Sequence, residues 1–357
     1  MKTFESYKLG SLQLKNRIVM APLTRSRAAG NIPNALMAEY YSQRASAGLI
    51  ITEGTSPSAD GLGYARIPGC FSPDQAAGWK LVTSAVHAKQ GHIVMQMMHC
   101  GRVGHADNLP PGGTVLAPSA VLLSGQMWTD AKGFQPHPVP REMTLEEIKK
   151  TINDFIHGAE LAVQSGFDGI ELHSANGYLL EQFLNPESNR RTDLYGGSPE
   201  NRMRFVLEVA EGIAKKIGAN KIGLRISPYG TFNDMKAFDG IDSFYATLCQ
   251  KLSDIGLAYI HVVDHSSMGA PPVSPTVKKL IRQNFKGAYI LSGGYSLEKA
   301  EHDLLENLGD LVAFGKPFIF NPDLVEKFKN KWPLLTGDDS TFYTPGPAGY
   351  TDYPTHS

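Results

Sequence analysis

Cysteine is scarce in this chain: Cys70, Cys100 and Cys249 are the only three among 357 residues, and they stand far apart. An odd, dispersed set fits neither a disulfide framework nor a tetrahedral zinc site. It points instead to a reducing compartment, the cytoplasm, and to no bound metal. Cys100 lies beside His99, which raises a thiol nucleophile, although a buried structural thiol is the commoner state of a cysteine. Long apolar runs are absent as well. No window approaches the ~18 consecutive apolar residues of a spanning helix. The opening Met1-Lys2-Thr3-Phe4-Glu5-Ser6 has no apolar leader core, so no signal peptide is expected. Neither sign of charge is in excess. With 34 Lys and Arg against 35 Asp and Glu, the formal net charge is -1, which gives no general attraction to nucleic acid or to an anionic membrane. Nor does a Gly-x-Gly-x-x-Gly turn follow the first apolar segment, which argues against a doubly wound dinucleotide-binding sheet.

What is present is an ordinary globular composition, 42% hydrophobic and 19% charged, with a regular rhythm. After a small hairpin over residues 7–16, turning at Gly10 and Ser11, eight short apolar strands alternate with helices. The strands are expected at 17–23, 47–53, 92–97, 166–170, 221–226, 257–263, 289–291 and 311–314. The helices are expected at 34–47, 72–90, 144–165, 198–217, 241–255, 275–283, 296–307 and 321–330. Ser72-Pro73 and Ser198-Pro199 each supply an N-cap and a first-turn proline, and Thr144 with Glu147 forms a capping box. Strands that are apolar at successive positions are buried on both faces. Eight such units close into a (β/α)8 barrel, a TIM barrel of the α/β class, as one domain over residues 1–357. Residues 103–141, with six prolines, break the rhythm after strand three and read as a lid insertion. Residues 332–357, rich in Gly, Pro and Tyr, read as an irregular tail across the surface.

A barrel keeps its chemistry at the carboxyl ends of its strands. Those ends carry Thr24, Gly54, Gln96 with His99, then His173, Asn176 and Tyr178, and Arg225. The last two loops carry Gly293-Gly294 and Gly315-Lys316. Paired glycines either make tight turns or cradle phosphate oxygens with their N–H groups. Their place after strands seven and eight, with Lys316 and a helix opening near Ser296, favours the cradle. Arg225 on an apolar strand is either half of a buried ion pair with Glu171 or Asp264, or the counter-ion of an anionic ligand. The stretch Glu171-Leu172-His173-Ser174-Ala175-Asn176-Gly177-Tyr178 reads as a polar turn. A helical turn there would put His173 and Asn176 on one face as two donors, with Tyr178 meeting the ligand from another side. Imidazole, carboxamide and phenol can polarise a carbonyl and deliver a proton. They cannot move electrons.

Several of these residues lie within longer motifs. They are Ala21-Pro22-Leu23-Thr24-Arg25, Gln96 with His99-Cys100-Gly101-Arg102, and His173-Ser174-Ala175-Asn176-Gly177-Tyr178-Leu179. Further on come Asn189-Arg190-Arg191-Thr192-Asp193-Leu194-Tyr195-Gly196-Gly197-Ser198 with Glu200-Asn201-Arg202, then Gly315-Lys316-Pro317-Phe318 with Asn321-Pro322-Asp323-Leu324. In this order, over residues 8–353, the chain resembles the Old Yellow Enzyme family. The resemblance implies a barrel holding FMN non-covalently. Pro22, Leu23 and Thr24 would lie on the flavin, with Thr24 at O4; Gly54 and Gln96 would bind the pyrimidine edge, and Arg225 would sit near N1 and O2. Gly293, Gly294, Gly315 and Lys316 would hold the phosphate. NADPH, or NADH, would reduce the flavin, and hydride from N5 would pass to the β-carbon of an α,β-unsaturated carbonyl or nitroalkene. His173 and Asn176 would bind the substrate oxygen, and Tyr178 would protonate the α-carbon. Tyr64, Met98 and Tyr343 would line the substrate side, with Met127 and Trp128 as a possible roof. Phenolic inhibitors would occupy the same place, in a monomer or homodimer.

Two positions depart from the usual pattern of that family. Met98 stands where many members carry a bulky aromatic, which implies a roomier pocket. Lys316 stands where arginine is common, replacing a bidentate fork by a point charge. Other readings of the resemblance are a flavin- or phenol-binding sensor or store, and a reductase of nitroesters or nitroaromatics. The larger flavin enzymes built on a related barrel add an iron–sulfur cluster, for which this chain has no clustered cysteines.

Overall fold

Eight parallel strands, each three to six residues long, pair side by side until the last meets the first, closing a barrel. The structure, a computed structural model, describes residues 1–356. In chain order the barrel strands are Ile18–Met20, Leu49–Ile51, Ile93–Met97, Gly169–Ser174, Ile222–Ile226, Tyr259–Val263, Ala288–Ser292 and Leu311–Phe314. Every residue of the eight is buried, because one face meets the barrel interior and the other the helices. Alternation sorts them: Val19, Leu49, Ile51, Val94, Ile290 and Leu311 pack inward together, while Ile18, Met20 and Ile50 pack outward against the helical layer.

The hairpin Tyr7–Leu9 and Leu12–Leu14 delivers Leu9 and Leu14 into the inward cluster, plugging the end of the barrel opposite the chemistry. The main helices begin where the caps predict. Ser72 accepts from the Gln75 N–H with Pro73 behind it, and Thr144 and Glu147 form the reciprocal capping box. Several boundaries move: the first helix stops at Gln43, the first two strands shorten to Ile18–Met20 and Leu49–Ile51, and the last helix starts at Leu324 with a separate short helix, Lys316–Phe320, before it.

The fourth strand begins at Gly169 and runs on through Ser174, so Glu171 and His173 are strand residues rather than turn residues. The insertion after strand three is more regular than its prolines suggest: Gln126–Thr129 pairs antiparallel with Gly133–Pro136. Met127 faces inward against Val103, Leu123, Tyr64 and Tyr178. Trp128 is 47% exposed and meets Phe134 edge-on at 5.2 Å on the outer face, as alternation along a strand requires. Of the two expected roof residues, Met127 is therefore placed over the site and Trp128 is not.

The tail is strapped down by the loop after strand one. Arg25 donates through Nη2 to the Gly349 carbonyl at 2.6 Å. Arg27 donates to the carbonyls of Thr341 and Ala348 at 2.8 and 3.0 Å. Tyr350 stacks on Tyr40 with centroids 4.0 Å apart. Buried guanidiniums satisfied by tail carbonyls hold an otherwise irregular segment in one place.

Candidate active site

The site is built around strand four and the reversal after it. Alternation along the strand turns Glu171 and His173 inward and Leu172 out to the helical layer. The chain then reverses through Asn176 (φ 59°) and Gly177 (φ 75°) before the helix Leu179–Leu184. Both are left-handed conformations, tolerated by Asn and natural for Gly, so no helical turn joins His173 to Asn176. A Cβ on Gly177 would also come within 2.7 Å of the Asn233 Cβ. Side chains hold this turn. The Asn176 N–H donates to Ser227 Oγ at 2.9 Å, the Gly177 N–H to Glu181 Oε2 at 2.6 Å, and Ser227 Oγ to Glu181 Oε1 at 2.8 Å. Asn233 Nδ2 donates to the Asn176 carbonyl at 2.7 Å.

Burial raises the Glu181 carboxyl to about 7. An unfolded Glu titrates near ~4.3, so Glu181 supports the fold fully below that value and loses the contribution as pH rises through about 7. Urea midpoints of the wild type should therefore decline between pH 5 and 7 relative to Glu181→Gln, by more than ~1 kcal/mol in unfolding free energy. Parallel midpoints across that window would contradict this.

Arg225 lies in register between His173 and His261. It is buried and its Nε has no partner. Neither expected ion pair forms. Glu171 Oε2 accepts from His261 Nδ1 at 2.9 Å and Oε1 from Gln96 Nε2 at 2.8 Å, while Asp264 accepts from Lys278 at 2.7 Å. The guanidinium feels the Glu171 charge but makes no direct ion pair, and in a low-dielectric place that is costly unless a ligand meets it. Burial, then Arg225, His261 and His265, holds the His173 imidazole well below its usual range, so it is neutral and keeps one N–H. Its Nδ1 is buried without a partner.

Gln96 points one way only. A carboxylate accepts and cannot donate, so Glu171 takes the Gln96 NH2 group and leaves Oε1 for a ligand N–H. Tyr178 packs edge-on to His173, ring centroids 4.8 Å apart, closer than its spacing from His173 implies. Its hydroxyl meets that of Tyr64 at 2.9 Å. Burial pushes the Tyr178 phenol up, and the Tyr64 contact works against that rise. Met98 packs with both tyrosines. A Cβ on Gly54 would stand 2.5 Å from the Met98 Sδ, so this glycine makes room for that thioether. Tyr343 is 60% exposed at the rim, with its carbonyl held by Arg66 Nη2 at 2.8 Å.

The glycine loops also converge. A Cβ on Gly293 (φ 125°) would meet the Asp264 carbonyl oxygen at 2.0 Å, and one on Gly294 (φ 63°) would meet Ser267 at 2.5 Å. The nearest atom to a Cβ on Gly315 would be the Leu23 Cδ2 at 3.6 Å, which brings the Pro22-Leu23-Thr24 loop beside the last strand end. Lys316 departs from expectation. Its ammonium turns to Asp339 in the tail at 2.6 Å and stands exposed. The charge assigned to the cradle is engaged elsewhere, and the backbone N–H groups remain. The Cys100 thiol is buried and held protonated by that burial, and burial presses His99 down to about 3; they form no thiolate–imidazolium pair. Among the described residues, no group of three or more His, Cys, Asp or Glu side chains is placed to hold a metal ion, and no helix is long and apolar enough to cross a membrane.

Residues 2–334 match the family model described as the NADH:flavin oxidoreductase / NADH oxidase family. The chain belongs to the Old Yellow Enzyme family. Morphinone reductase in complex with tetrahydroNAD is similar at 41% identity and a TM-score of 0.95, covering 100% of this chain and 98% of that one. The Old Yellow Enzyme homologue from Zymomonas mobilis is 38% identical with a TM-score of 0.95, covering 99% of each chain. A probable flavin mononucleotide-dependent alkene reductase from Leishmania infantum is 40% identical over 353 residues, 97% of this chain and 95% of its own. Old Yellow Enzymes are FMN-dependent oxidoreductases, and the residues present fit FMN. A buried guanidinium whose Nε has no partner suits the electron-rich pyrimidine edge, and a Gln96 Oε1 left free by the Glu171 contact suits a ring N–H. Two glycines at positive φ, where the loop after strand six leaves no room for a side chain, leave their backbone N–H groups uncovered by one.

Glu181, Ser227 and His265 are not marked as site residues by the sequence motifs, and of the two readings left open for Arg225 the ion pair with Glu171 or Asp264 does not form. His265 lies two residues past strand six, beside Asp264, at a strand end from which no ligand-binding group was nominated. Position alone was sufficient to nominate it.

Proposed function

We propose that this protein is an FMN-dependent ene-reductase acting on α,β-unsaturated carbonyl compounds and nitroalkenes, with NADPH or NADH as the electron source. The observation that carries the reading is the pairing of a buried phenol, Tyr178, with a neutral His173 imidazole 4.8 Å away, beside an unpaired Arg225. Bound at the strand ends, FMN would supply the hydride chemistry that links the nicotinamide to the alkene β-carbon. Arg225 and the Gln96 Oε1 would hold the pyrimidine edge, with Gly54 and the Pro22-Leu23-Thr24 loop as the further residues that would bind the cofactor. The N–H groups of Gly293, Gly294 and Gly315 would hold its phosphate.

His173 and Asn176 donate hydrogen bonds to the substrate oxygen. As enolate charge develops there, the bonds strengthen, which lowers the barrier more than the ground state. Tyr178 gives its proton to the α-carbon. A phenol of such high pKa is an adequate acid only toward a strongly basic carbon, and Tyr64 steadies the phenolate as it forms. Tyr64, Met98 and Tyr343 bound the substrate. The reading is tested by anaerobic turnover with a panel of enones, maleimides and nitroalkenes. Oxidation of NADPH or NADH with stoichiometric saturated product supports it, and no turnover with any of them would end it.

Arg225→Met should move two quantities in opposite directions. FMN affinity should fall by roughly tenfold or more, since a charge-assisted contact is lost. The FMN-free protein should gain thermal stability, since an unpaired buried cation is gone. Equal FMN affinity in the two proteins would refute the placement.

A further inference from the structure

Asn176 is gripped at three of its four polar groups. Its N–H is held by Ser227 Oγ at 2.9 Å, its carbonyl by Asn233 Nδ2 at 2.7 Å, and its Oδ1 stands 2.7 Å from His265 Nε2. Only the Nδ2 amino group is left for a ligand. We propose that His265 is a positioning residue: its Nε2–H donates to Asn176 Oδ1 and so fixes the carboxamide with its donor end toward the substrate oxygen. This rests on the reading that Asn176 binds that oxygen.

An asparagine amide is ambivalent. Turned over, it would present a carbonyl oxygen to a developing enolate, and a donor would become a repulsion. Neither backbone contact prevents this, because both act on the main chain and leave χ2 free. The single side-chain contact is the one with His265, and His265 is itself set in place. It lies just past the sixth strand, with its ring 4.5 Å from that of Phe232. Burial and the Arg225 charge press its imidazole down to about 4, so at neutral pH one ring nitrogen carries the proton. The donor sense of Asn176 then depends on that proton residing on Nε2.

The test measures binding of 4-hydroxybenzaldehyde to the FMN-loaded protein, read as the long-wavelength charge-transfer absorbance of its phenolate. His265→Leu should weaken binding roughly tenfold, the loss of about one oriented hydrogen bond. His265→Gln, whose amide N–H can also donate to Oδ1, should recover most of it. Equal weakening in both variants, or none in His265→Leu while Asn176→Ala weakens binding, would overturn the proposal and leave the site reading standing. Unchanged binding in Asn176→Ala would remove that reading and the inference with it. FMN content and the absorbance of the ligand-free protein show that each variant is folded.

Discussion

Tyr178→Phe should reduce alkene turnover by ~10²–10⁴-fold, the range of a positioned general acid, and leave reduction of the bound flavin by NADPH near wild type. The phenol is well suited to separate the two steps. It is buried against His173 and hydrogen-bonded to Tyr64, so Phe keeps the packing and removes one hydroxyl. Burial keeps it protonated at all working pH values, so the alkene step should show no pH dependence from this acid below about pH 10. Nitroalkenes should lose less, because a nitronate is stable enough to leave the site and take its proton from water. If both half-reactions slow together, Tyr178 shapes the pocket and does not supply the proton.

His173→Ala should lower the rate of enone reduction by ~10²–10³-fold, as removal of one oxyanion donor does. The imidazole is neutral because burial and Arg225 disfavour its cation. It therefore acts as a hydrogen-bond donor of fixed geometry, without net charge, and substrate binding should suffer less than the rate. Phenolate ligands, which carry full charge on the oxygen, should lose affinity by roughly tenfold or more. A phenolate titration that matches wild type would show that the oxygen is held elsewhere.

The fold was readable from the chain because each of its signals is local. Apolar runs at 17–23, 47–53 and 311–314 report strands buried on both faces, which form over the central 18–20 and 49–51 of the first two, and Ser72-Pro73 and Thr144 with Glu147 mark helix starts. The site was readable to the extent that it consists of strand ends. What was not readable depends on direction. Whether Lys316 faces the cradle or Asp339 is decided by a tail residue 23 positions on. Whether Glu171 pairs with Arg225 or with His261 and Gln96 is decided by three strands at once. The turn after His173 was read with helical spacing, but its conformation comes from Glu181 and Ser227, whose contacts span the loop. Trp128 and Met127 differ by one position, and only the register of their hairpin shows which of them faces the site.

The central claim is that one site takes electrons from a nicotinamide and gives them to an activated alkene. Stopped-flow absorbance of the FMN-loaded protein under anaerobic conditions tests it most directly. Mixing with one equivalent of NADPH or NADH should bleach the flavin, and a second mixing with 2-cyclohexenone should restore its colour with formation of cyclohexanone. Bleaching by neither nucleotide, or a bleached flavin that no enone, maleimide or nitroalkene reoxidises, would contradict the account.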